Sequence, residues 1–494
     1  MTVDDRSRIT TGVDGLDEVL HGGLIPQRSY MVTGRPGTGK TILGLHYLTA
    51  GLAADESCLY INLEESTADI RANAAALGFD LSGVEFLDLS PTADAFTEND
   101  QYYVFAPDEV ESPGVVDRIG EEVRRVDPDR VFVDPLTQLR NLAPDDYQFR
   151  KQVNGFVQLV RAQDATVVFT SQATETSPDE DLQFVSDGTV ELRHGERGRS
   201  LAVRKFRGSD FDSGSHSLRI TGDGMVVYPV LTPSSHGREF TTDKIPSGVP
   251  EIDELLHGGL ERGTVTILSG PTGVGKTTLG VQFMKEAAGR GERSIVYQFE
   301  ESEKTLLERS QNVNIPVKEM VDRGTLAVET VEPLEKSPPE FASMVREEVE
   351  RQDAKIVMID GIDGYRLSLQ GNEGDLEREL NALGRYLKNM GVAVILVDTA
   401  ESVTGEFQPT NSGVSYLADN IVFLRYLEMN GELRKAIGIL KKRMSDFERT
   451  MREFEITQHG IKVGEPLSAL RGILSGTPTF VDSPNPPAGE DTRR

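Results

Sequence analysis

The chain repeats part of its own sequence at a fixed spacing, and this repeat constrains its fold more than any other feature. TGVDGLDEVLHGGL at residues 11–24 recurs as SGVPEIDELLHGGL at residues 247–260. Matching residues lie 236 positions apart, and the same register still holds at Lys40 and Lys276. Self-similarity at a constant period marks a duplicated structural unit. We therefore expect the 494 residues to contain two copies of one domain.

The composition between and after the copies suggests where the domains end. LTPSSHGREFTTDK at residues 231–244 is polar and contains Pro, Ser and Gly, as a linker would. We predict a first domain at residues 1–236 and a second at residues 237–474. Residues 475–494 include SPNPPAGEDTRR, a composition that predicts a flexible tail.

Short apolar segments alternate with helical patterns in both copies, which predicts the fold class. The segments lack in/out alternation, so we expect a sheet that is covered on both faces. Alternation of strands and helices predicts an α/β fold with a mostly parallel sheet in each copy. The predicted strands are Ser29–Thr33, Ser57–Leu63, Arg130–Val133, Thr166–Thr170, Thr264–Leu268, Ser294–Phe299, Lys355–Ile359 and Val392–Val397.

Each copy carries a complete phosphate-binding motif between a predicted strand and a predicted helix. GRPGTGKT at residues 34–41 and GPTGVGKT at residues 270–277 both fit G-x-x-x-x-G-K-[ST]. Glycines let backbone N–H groups surround phosphates, and the helix that follows adds its positive N-terminal end. A chance glycine-rich turn is the alternative for one motif, but two motifs in register make it negligible. The predicted nucleotide-binding residues are Gly34, Pro36, Gly37, Thr38, Gly39, Lys40 and Thr41, with Gly270, Thr272, Gly273, Val274, Gly275, Lys276, Thr277 and Thr278 in the second copy.

ATP and Mg²⁺ are the expected cofactors of such motifs. The lysines would reach the β- and γ-phosphates, and the hydroxyls of Thr41 and Thr277 would bind Mg²⁺. Asp134 in RVFVD and Asp360 in IVMID each end an apolar strand, where parallel sheets place ligand contacts. We predict these carboxylates to be the second metal ligands. A strand-end Asp that only caps a turn is the alternative.

Paired glutamates follow the second strand of each copy and are the candidate catalytic bases. Glu64 and Glu65 end YINLEE, and Glu300 and Glu301 end YQFEE. A carboxylate at this strand end can orient water toward a γ-phosphate, and we assign that role to the first Glu of each pair. The alternative is ordinary acidity at a helix N-terminus.

The charge of the chain limits which partners are plausible. It has 80 acidic and 52 basic residues, a net charge of -28, which disfavours nucleic acid and anionic membrane. The same acidity suggests a halophilic source. A single cysteine, Cys58, fits a reducing compartment. Apolar runs such as Val392–Val397 are far shorter than the ~20 residues that span a bilayer, so we expect a cytoplasmic protein without membrane contact.

These motifs together resemble the KaiC-type family of double-domain ATPases in the RecA superfamily. The resemblance covers roughly residues 8–480. Besides the repeated openings and phosphate loops, it rests on EESEKTLLERS after the second strand of copy two, on FVSDGTVELR at residues 184–193, and on ADNIVFLRYLEMNGELRKAI and GILSGTP further on. It implies two tandem RecA-like P-loop domains that form a homo-oligomeric ring, hexameric in this family, with ATP between subunits.

The resemblance also implies cations that reach across the subunit interface. The family pattern K-x-R-G matches Lys205 and Arg207, and in the second copy it matches Lys441 and Arg443, with Met444 where Gly is usual. In the family such cations stabilise charge on the neighbour's γ-phosphate, as an arginine finger does. An exposed basic strand edge is the alternative.

A candidate phosphorylation site follows from the same resemblance. NSGVSYLAD at residues 411–419 places Ser415 on the serine that the family's clock kinase phosphorylates. Tyr416 and Ala418 stand where threonines would, so at most this one site of the family's cycle is present. Ser415 would be a Ser/Thr autokinase site with Glu300 as its base. A structural or helix-capping serine is the alternative.

Three functions remain open from the sequence. The first is a KaiC-like signalling ATPase with autokinase activity and an unidentified protein partner. The second is a RecA-like recombinase or helicase, which the lack of Trp and of any Lys or Arg at residues 401–416 disfavours. The third is a non-hydrolysing scaffold, which the intact motifs in both copies disfavour.

Overall fold

The computed structural model describes residues 8–90, 113–172, 179–195, 198–369, 373–400, 414–429, 431–471, 473 and 479–480. The chain divides into two compact units, Met1–Val230 and Leu231–Arg494. Among the described residues, no helix is long and apolar enough to cross a membrane.

The first unit alternates strands and helices through its first five strands and ends in a run of strands. Its elements in chain order are α1 (Asp14–Val19), β1 (Ser29–Gly34), α2 (Lys40–Ala53), β2 (Cys58–Asn62), α3 (Thr67–Ala76), β3 (Glu85–Asp88), α4 (Pro113–Val126), β4 (Arg130–Asp134), a 3-10 helix (Leu136–Leu142), α5 (Asp146–Ala162), β5 (Thr166–Ser171), α6 (Glu180–Val185), β6 (Gly188–Gly195), β7 (Gly198–Phe206), β8 (His216–Thr221) and β9 (Gly224–Tyr228).

The second unit repeats this plan. Its elements are a 3-10 helix (Pro233–Ser235), β10 (Lys244–Ile245), α7 (Pro250–Leu255), β11 (Leu260–Glu261), β12 (Val265–Gly270), α8 (Lys276–Gly289), β13 (Ser294–Gln298), α9 (Glu303–Gln311), α10 (Val317–Asp322), β14 (Leu326–Thr330), α11 (Pro338–Glu350), β15 (Ile356–Asp360), α12 (Ile362–Ser368), α13 (Glu373–Asn389), β16 (Ala393–Thr399), a 3-10 helix (Val414–Tyr416), β17 (Asn420–Met429), β18 (Glu432–Lys442), β19 (Arg452–Thr457), β20 (Gly460–Pro466), β21 (Leu470–Arg471) and β22 (Thr479–Phe480).

Each unit is built on a nine-stranded sheet with the same order. The orders are β3-β2-β4-β5-β1-β6-β7-β8-β9 and β14-β13-β15-β16-β12-β17-β18-β19-β20. The first six strands of each order run parallel, and the last three continue the sheet antiparallel. The predicted α/β class with two mostly parallel sheets is confirmed. Both ends of every predicted strand lie within two residues of the ends of an observed strand.

Helices cover both faces of the parallel strands. Alternate residues of β2 belong to different cores, since Tyr60 packs with residues of α2 and Ile61 packs with residues of α5. All five residues of β2 are therefore buried. This double coverage explains why the strands are apolar throughout rather than alternating.

The segment that we expected to be a linker packs on the second unit. Leu231 is buried in one of that unit's cores, and Asn389 Nδ2 donates to the Pro233 carbonyl at 2.8 Å. The His236 ring meets Tyr386 edge-on at 5.4 Å. The compact units thus divide at Val230 and Leu231, and our limits of 1–236 and 237–474 stay a prediction. Of the expected tail, only Thr479–Phe480 is described, paired with Leu470–Arg471.

Candidate nucleotide sites

Both phosphate loops lie at the carboxyl ends of the parallel strands, between β1 and α2 and between β12 and α8. The last glycine before each helix, Gly39 or Gly275, has a left-handed backbone with φ of 107° or 118°. A β-carbon on Gly39 would also lie 3.0 Å from side-chain atoms of Ile220 and Met225. Conformation and space therefore both require glycine at this position.

The motif lysines are buried against their own loops. Lys40 Nζ donates to the carbonyls of Gly34 at 2.8 Å and Arg35 at 3.1 Å, and Lys276 Nζ repeats this with Gly270 and Pro271 at 2.7 and 3.1 Å. Burial lowers the pKa of both lysines, opposed in part by nearby carboxylates. Phosphate oxygens would be stronger acceptors and would stabilise the charged ammonium.

A hydroxyl and a carboxylate meet beside each lysine, as a Mg²⁺ site requires. Thr41 Oγ1 donates to Asp134 Oδ2 at 2.6 Å, and Thr277 Oγ1 donates to Asp360 Oδ1 at 3.0 Å. Hard oxygen donors of this kind suit Mg²⁺, which usually takes its other ligands from phosphates and water. Among the described residues, no group of three or more His, Cys, Asp or Glu could hold a metal alone. The pairs therefore fit a metal that arrives with a nucleotide.

Asp134 is held by several hydroxyl groups. Besides Thr41, Tyr60 OH donates to Asp134 Oδ2 at 3.2 Å, and Thr170 Oγ1 donates to Asp134 Oδ1. These bonds fix the orientation of the carboxylate.

Asp360 lies in a more apolar setting. The residue at the position of Tyr60 is Val296, and the residue opposite Asp360 on β16 is Val397, so neither can donate. Burial raises the pKa of Asp360 to about 6, although the Thr277 hydrogen bond and the Arg309 charge act against this shift. The two metal positions are therefore chemically different.

Most of the residues predicted to bind or hydrolyse nucleotide in the first copy share one cleft of about 500 Å³, formed mainly by the phosphate loop and the ends of β2 and β4, although Gly34 and Thr38 do not line it. Its lining includes Lys40, Thr41, Glu64, Glu65 and Asp134. Gln172 Nε2 donates to Glu64 Oε2 at 2.9 Å, so the candidate base is oriented by a neighbouring amide. Burial raises the pKa of Glu65, and the nearby carboxylates add to the effect.

The second cleft, of about 360 Å³, contains the equivalent set Lys276, Thr277, Glu300, Glu301 and Asp360. Here Glu300 lies against bare backbone instead of an amide side chain. A β-carbon on Gly361 would stand 2.7 Å from Glu300 Oε1. Glycine after Asp360, where the first unit has Pro135, thus makes room for the candidate base.

Besides Arg309 of the second cleft, sequence reasoning missed two basic residues, one in each cleft. Arg199 on β7 lines the first cleft, and Lys435 on β18 lines the second. Lys435 Nζ donates to the Gly273 carbonyl at 3.3 Å, and burial lowers its pKa. The two lie 236 positions apart, so the repeat register could have paired them, but the motifs gave no sign that β7 and β18 return to the phosphate loops.

The four predicted trans-acting cations do not line the clefts of their own units. Lys205 Nζ donates to the carbonyls of Gln183 and Ser186 at 2.5 and 2.6 Å, and Lys441 Nζ donates to that of Ala418 at 2.6 Å. Burial lowers the pKa of both lysines, and the neighbouring arginine adds to this.

Arg207 and Arg443 each approach an aspartate of their own unit. Arg207 Nη1 lies 3.9 Å from Asp187 and Arg443 Nη1 lies 3.5 Å from Asp419, with both arginine side chains more than half exposed. Equivalent residues therefore form equivalent basic edges in the two units.

Ser415 lies in the 3-10 helix Val414–Tyr416, and its carbonyl accepts from Lys441 Nζ at 3.4 Å. Its side chain is partly exposed. Residues 401–413, which precede this helix, lie outside the described residues.

A family model for the KaiC ATPase matches the chain twice, at residues 9–232 and 245–468. The chain belongs to the KaiC family. Relatives of similar length are the circadian clock oscillator protein KaiC of Prochlorococcus marinus, 29% identical over 491 residues, and the circadian clock protein KaiC3 of Synechocystis, 27% identical over 492 residues. These alignments cover 96% and 97% of this chain and 94% and 95% of the relatives. The resemblance predicted from the motifs is confirmed across both repeats, and a KaiC-family ATPase accounts for two phosphate-loop clefts in one chain.

Proposed function

We propose that this KaiC-family protein binds Mg-ATP in both clefts and hydrolyses it as a signalling ATPase. The observation that carries the proposal is that one cleft in each unit collects the motif lysine, the threonine–aspartate pair and the glutamate. A scaffold that binds nucleotide without hydrolysing it would have no need of the glutamate. The relatives are named as clock proteins, which does not favour the recombinase alternative.

The side chains of the first cleft have distinct tasks in this proposal. Lys40 binds β- and γ-phosphate oxygens, while Thr41 and Asp134 hold the metal, whose charge offsets that of the phosphates. Glu64, oriented by Gln172, positions the attacking water and accepts its proton. In the second cleft, Lys276, Thr277, Asp360 and Glu300 take the same roles.

We assign Lys205, Arg207, Lys441 and Arg443 to the neighbouring subunit's nucleotide. Their position outside their own clefts supports this assignment, as does the family membership. A ring, of six subunits by analogy with the family, would place each basic edge against the next cleft. The state of the ring would then be the signal that an unidentified protein partner reads.

Mixing two inactive variants tests the shared site. In a Lys276→Ala background, Glu64→Gln loses the base, and Lys205→Ala with Arg207→Ala loses the trans cations. Each alone is expected to release phosphate at least ~100-fold more slowly than the Lys276→Ala chain. Co-assembled, they should recover part of the activity, because some interfaces combine an intact Glu64 with intact cations. No recovery from mixed assemblies would contradict sharing between subunits.

Autophosphorylation of Ser415 is the second activity that we propose. Its position beside Lys441 and the presence of Glu300 in the second cleft support it. Mass spectrometry after incubation with Mg-ATP should find phosphate on Ser415 in the parent chain and not in Glu300→Gln. An unmodified Ser415 in an assembled, hydrolysing preparation would count directly against kinase activity.

A further inference from the structure

The second cleft is lined by an arginine whose counterpart in the first unit is not basic. Arg309 on α9 lines the second cleft, and the residue 236 positions earlier is Asn73. The neighbouring positions keep the repeat, with Glu65 matched by Glu301 and Ser66 by Ser302. The equivalent helices α3 and α9 therefore differ in charge at this position, Asn73 in the first and Arg309 in the second.

Arg309 forms an ion pair with Glu301 through one hydrogen bond rather than two. Arg309 Nη1 donates to Glu301 Oε1 at 2.7 Å. Arg309 Nη2 and Glu301 Oε2 are buried, and within the described part of the chain neither atom has a hydrogen-bond partner. Buried donors without acceptors are rare and unfavourable, and such a group at a cleft calls for a ligand that completes it.

The chemistry of the cleft indicates which ligand would satisfy this donor. Arg309 shares the cleft with Lys276 and Thr277, which face the expected phosphates. Arg309 also lies close enough to Asp360 for its positive charge to oppose the rise in the pKa of that carboxyl that burial causes. A guanidinium offers paired N–H donors that match phosphate oxygens better than a single carboxylate oxygen.

We propose that Arg309 leaves Glu301 and binds phosphate oxygens of the nucleotide in its own subunit. This inference rests on the proposed binding of ATP in the second cleft. It gives that cleft an additional cis cation where the first unit has Asn73, which does not line the first cleft, so the two sites of one chain bind ATP with different strength.

The test measures ATP affinity at the second site alone. Calorimetric titration of Mg-ATP into the full-length Lys40→Ala chain reports the second cleft, and Lys276→Ala added to it should abolish the signal. Arg309→Asn, which installs the residue of the first unit, is expected to weaken ATP binding at least ~10-fold. The matched control is Lys304→Asn on the same helix, whose side chain is 84% exposed and whose loss should change affinity less than ~2-fold.

The Glu301→Gln variant distinguishes two roles of Arg309, which are to bind the nucleotide or only to pair with Glu301. If Arg309 binds phosphate, Glu301→Gln removes its competitor and should hold or tighten ATP binding, opposite to Arg309→Asn. Equal affinity in Arg309→Asn and its parent would overturn the proposal while leaving the ATP site intact, as would equal weakening by both variants. Failure of the Lys40→Ala chain to bind ATP at all would instead reject the second site itself, and the proposal with it.

Discussion

Asp134 and Asp360 occupy equivalent positions, but their carboxylates have different hydrogen-bond partners. Asp134 accepts from the hydroxyls of Thr41, Tyr60 and Thr170, whereas the positions of the last two are valines in the second unit. The ionised form of Asp360 is poorly solvated, so a bound metal and Lys276 would stabilise its negative charge.

Asp360→Asn is expected to stabilise the nucleotide-free second unit at neutral pH. The folded-state pKa of Asp360 is raised to about 6 from an unfolded value near ~3.9, so the unfolded carboxyl ionises first as pH rises. Stability is lost between about pH 4 and 6, on the order of 2–3 kcal/mol, and the loss is complete above that window. Hydrogen exchange of β15 amides in nucleotide-free protein should slow in Asp360→Asn at pH 7.5 but not at pH 4.

Asp134→Asn is the matched control, because it removes a carboxylate that three hydroxyls already satisfy. It should not slow exchange in β4 at either pH. Slower exchange in both variants, or in neither, would contradict the difference between the two metal positions.

Gln172→Ala is expected to slow hydrolysis at the first site without weakening ATP binding. The amide at 2.9 Å orients Glu64, and an unrestrained base positions water less often. We predict a phosphate-release rate about 10-fold lower in the Lys276→Ala background, with the Kd for ATP unchanged. The second unit has Thr399 at this position, so a chain carrying Gln172→Thr provides a conservative comparison. A weaker Kd with an unchanged rate would show that Gln172 contacts the nucleotide instead.

The single residues of the clefts differ in how well the sequence predicts them. Lys40 and Thr41 belong to a motif whose local spacing follows from the geometry of a phosphate loop, Asp134 follows from its position at the end of an apolar strand, and all three line the first cleft. Gln172, which follows β5, and Arg199 on β7 lie more than 100 positions from the loop in the sequence, so only the paired sheet reveals that they reach it.

No sequence motif predicted that the β8–β9 hairpin would contact the phosphate loop. It packs on the phosphate loop through Ile220 and Met225, both beside Gly39. His46 on α2 holds it there, since Met225 N donates to His46 Nε2 at 2.8 Å. The hairpin thus packs directly on the phosphate loop, and a neutral His46 accepts the hydrogen bond that holds it. Strands β1, β2, β4 and β5 were predictable because their apolar runs are buried on both faces, whereas β3 is only partly buried and was not predicted.

Acid should loosen this hairpin in the first unit. Burial lowers the pKa of His46, so the folded state favours the neutral ring, and its contribution is complete above the unfolded pKa of about 6.5. As pH falls below that value toward the folded-state pKa, protonation removes the acceptor for Met225 N and stability is lost. Exchange of the Met225 amide, corrected for its intrinsic rate, should be about 5-fold faster at the acid end of this window than at pH 7.5.

His46→Gln takes the residue that the second unit has at this position, Gln282, and cannot titrate. Its corrected exchange should not depend on pH. If the parent and His46→Gln respond to pH alike, His46 is not the group that holds the hairpin.

The whole molecule is a duplicated ATPase whose two halves have diverged within a common plan. The repeat register predicted this plan, because a spacing of 236 positions matches the starts of β1, β2, β8 and β9 to those of their counterparts, and the two sheets have the same strand order. It could not predict the divergence, which lies in side chains around the motifs, such as Thr170 against Val397 and Asn73 against Arg309. Nor did composition show that the polar segment after Val230 packs on the second unit.

High salt is expected to stabilise the fold. The net charge of -28 makes carboxylates repel one another across the surface, and screening weakens that repulsion. The midpoint of thermal unfolding should rise steadily from dilute buffer to molar KCl. A midpoint that does not change with salt would argue against an adaptation to salt and leave the acidity unexplained.

The most direct measurement is phosphate release from Mg-ATP by the purified chain in high-salt buffer, followed together with its mass by light scattering. The parent chain should assemble with nucleotide to a mass near six chains and release phosphate continuously. Glu64→Gln with Glu300→Gln should still bind ATP and assemble, with release at least ~100-fold slower. A parent chain that binds ATP without turnover, or a double variant that hydrolyses at the parental rate, would contradict the assignment of these clefts as paired ATPase sites.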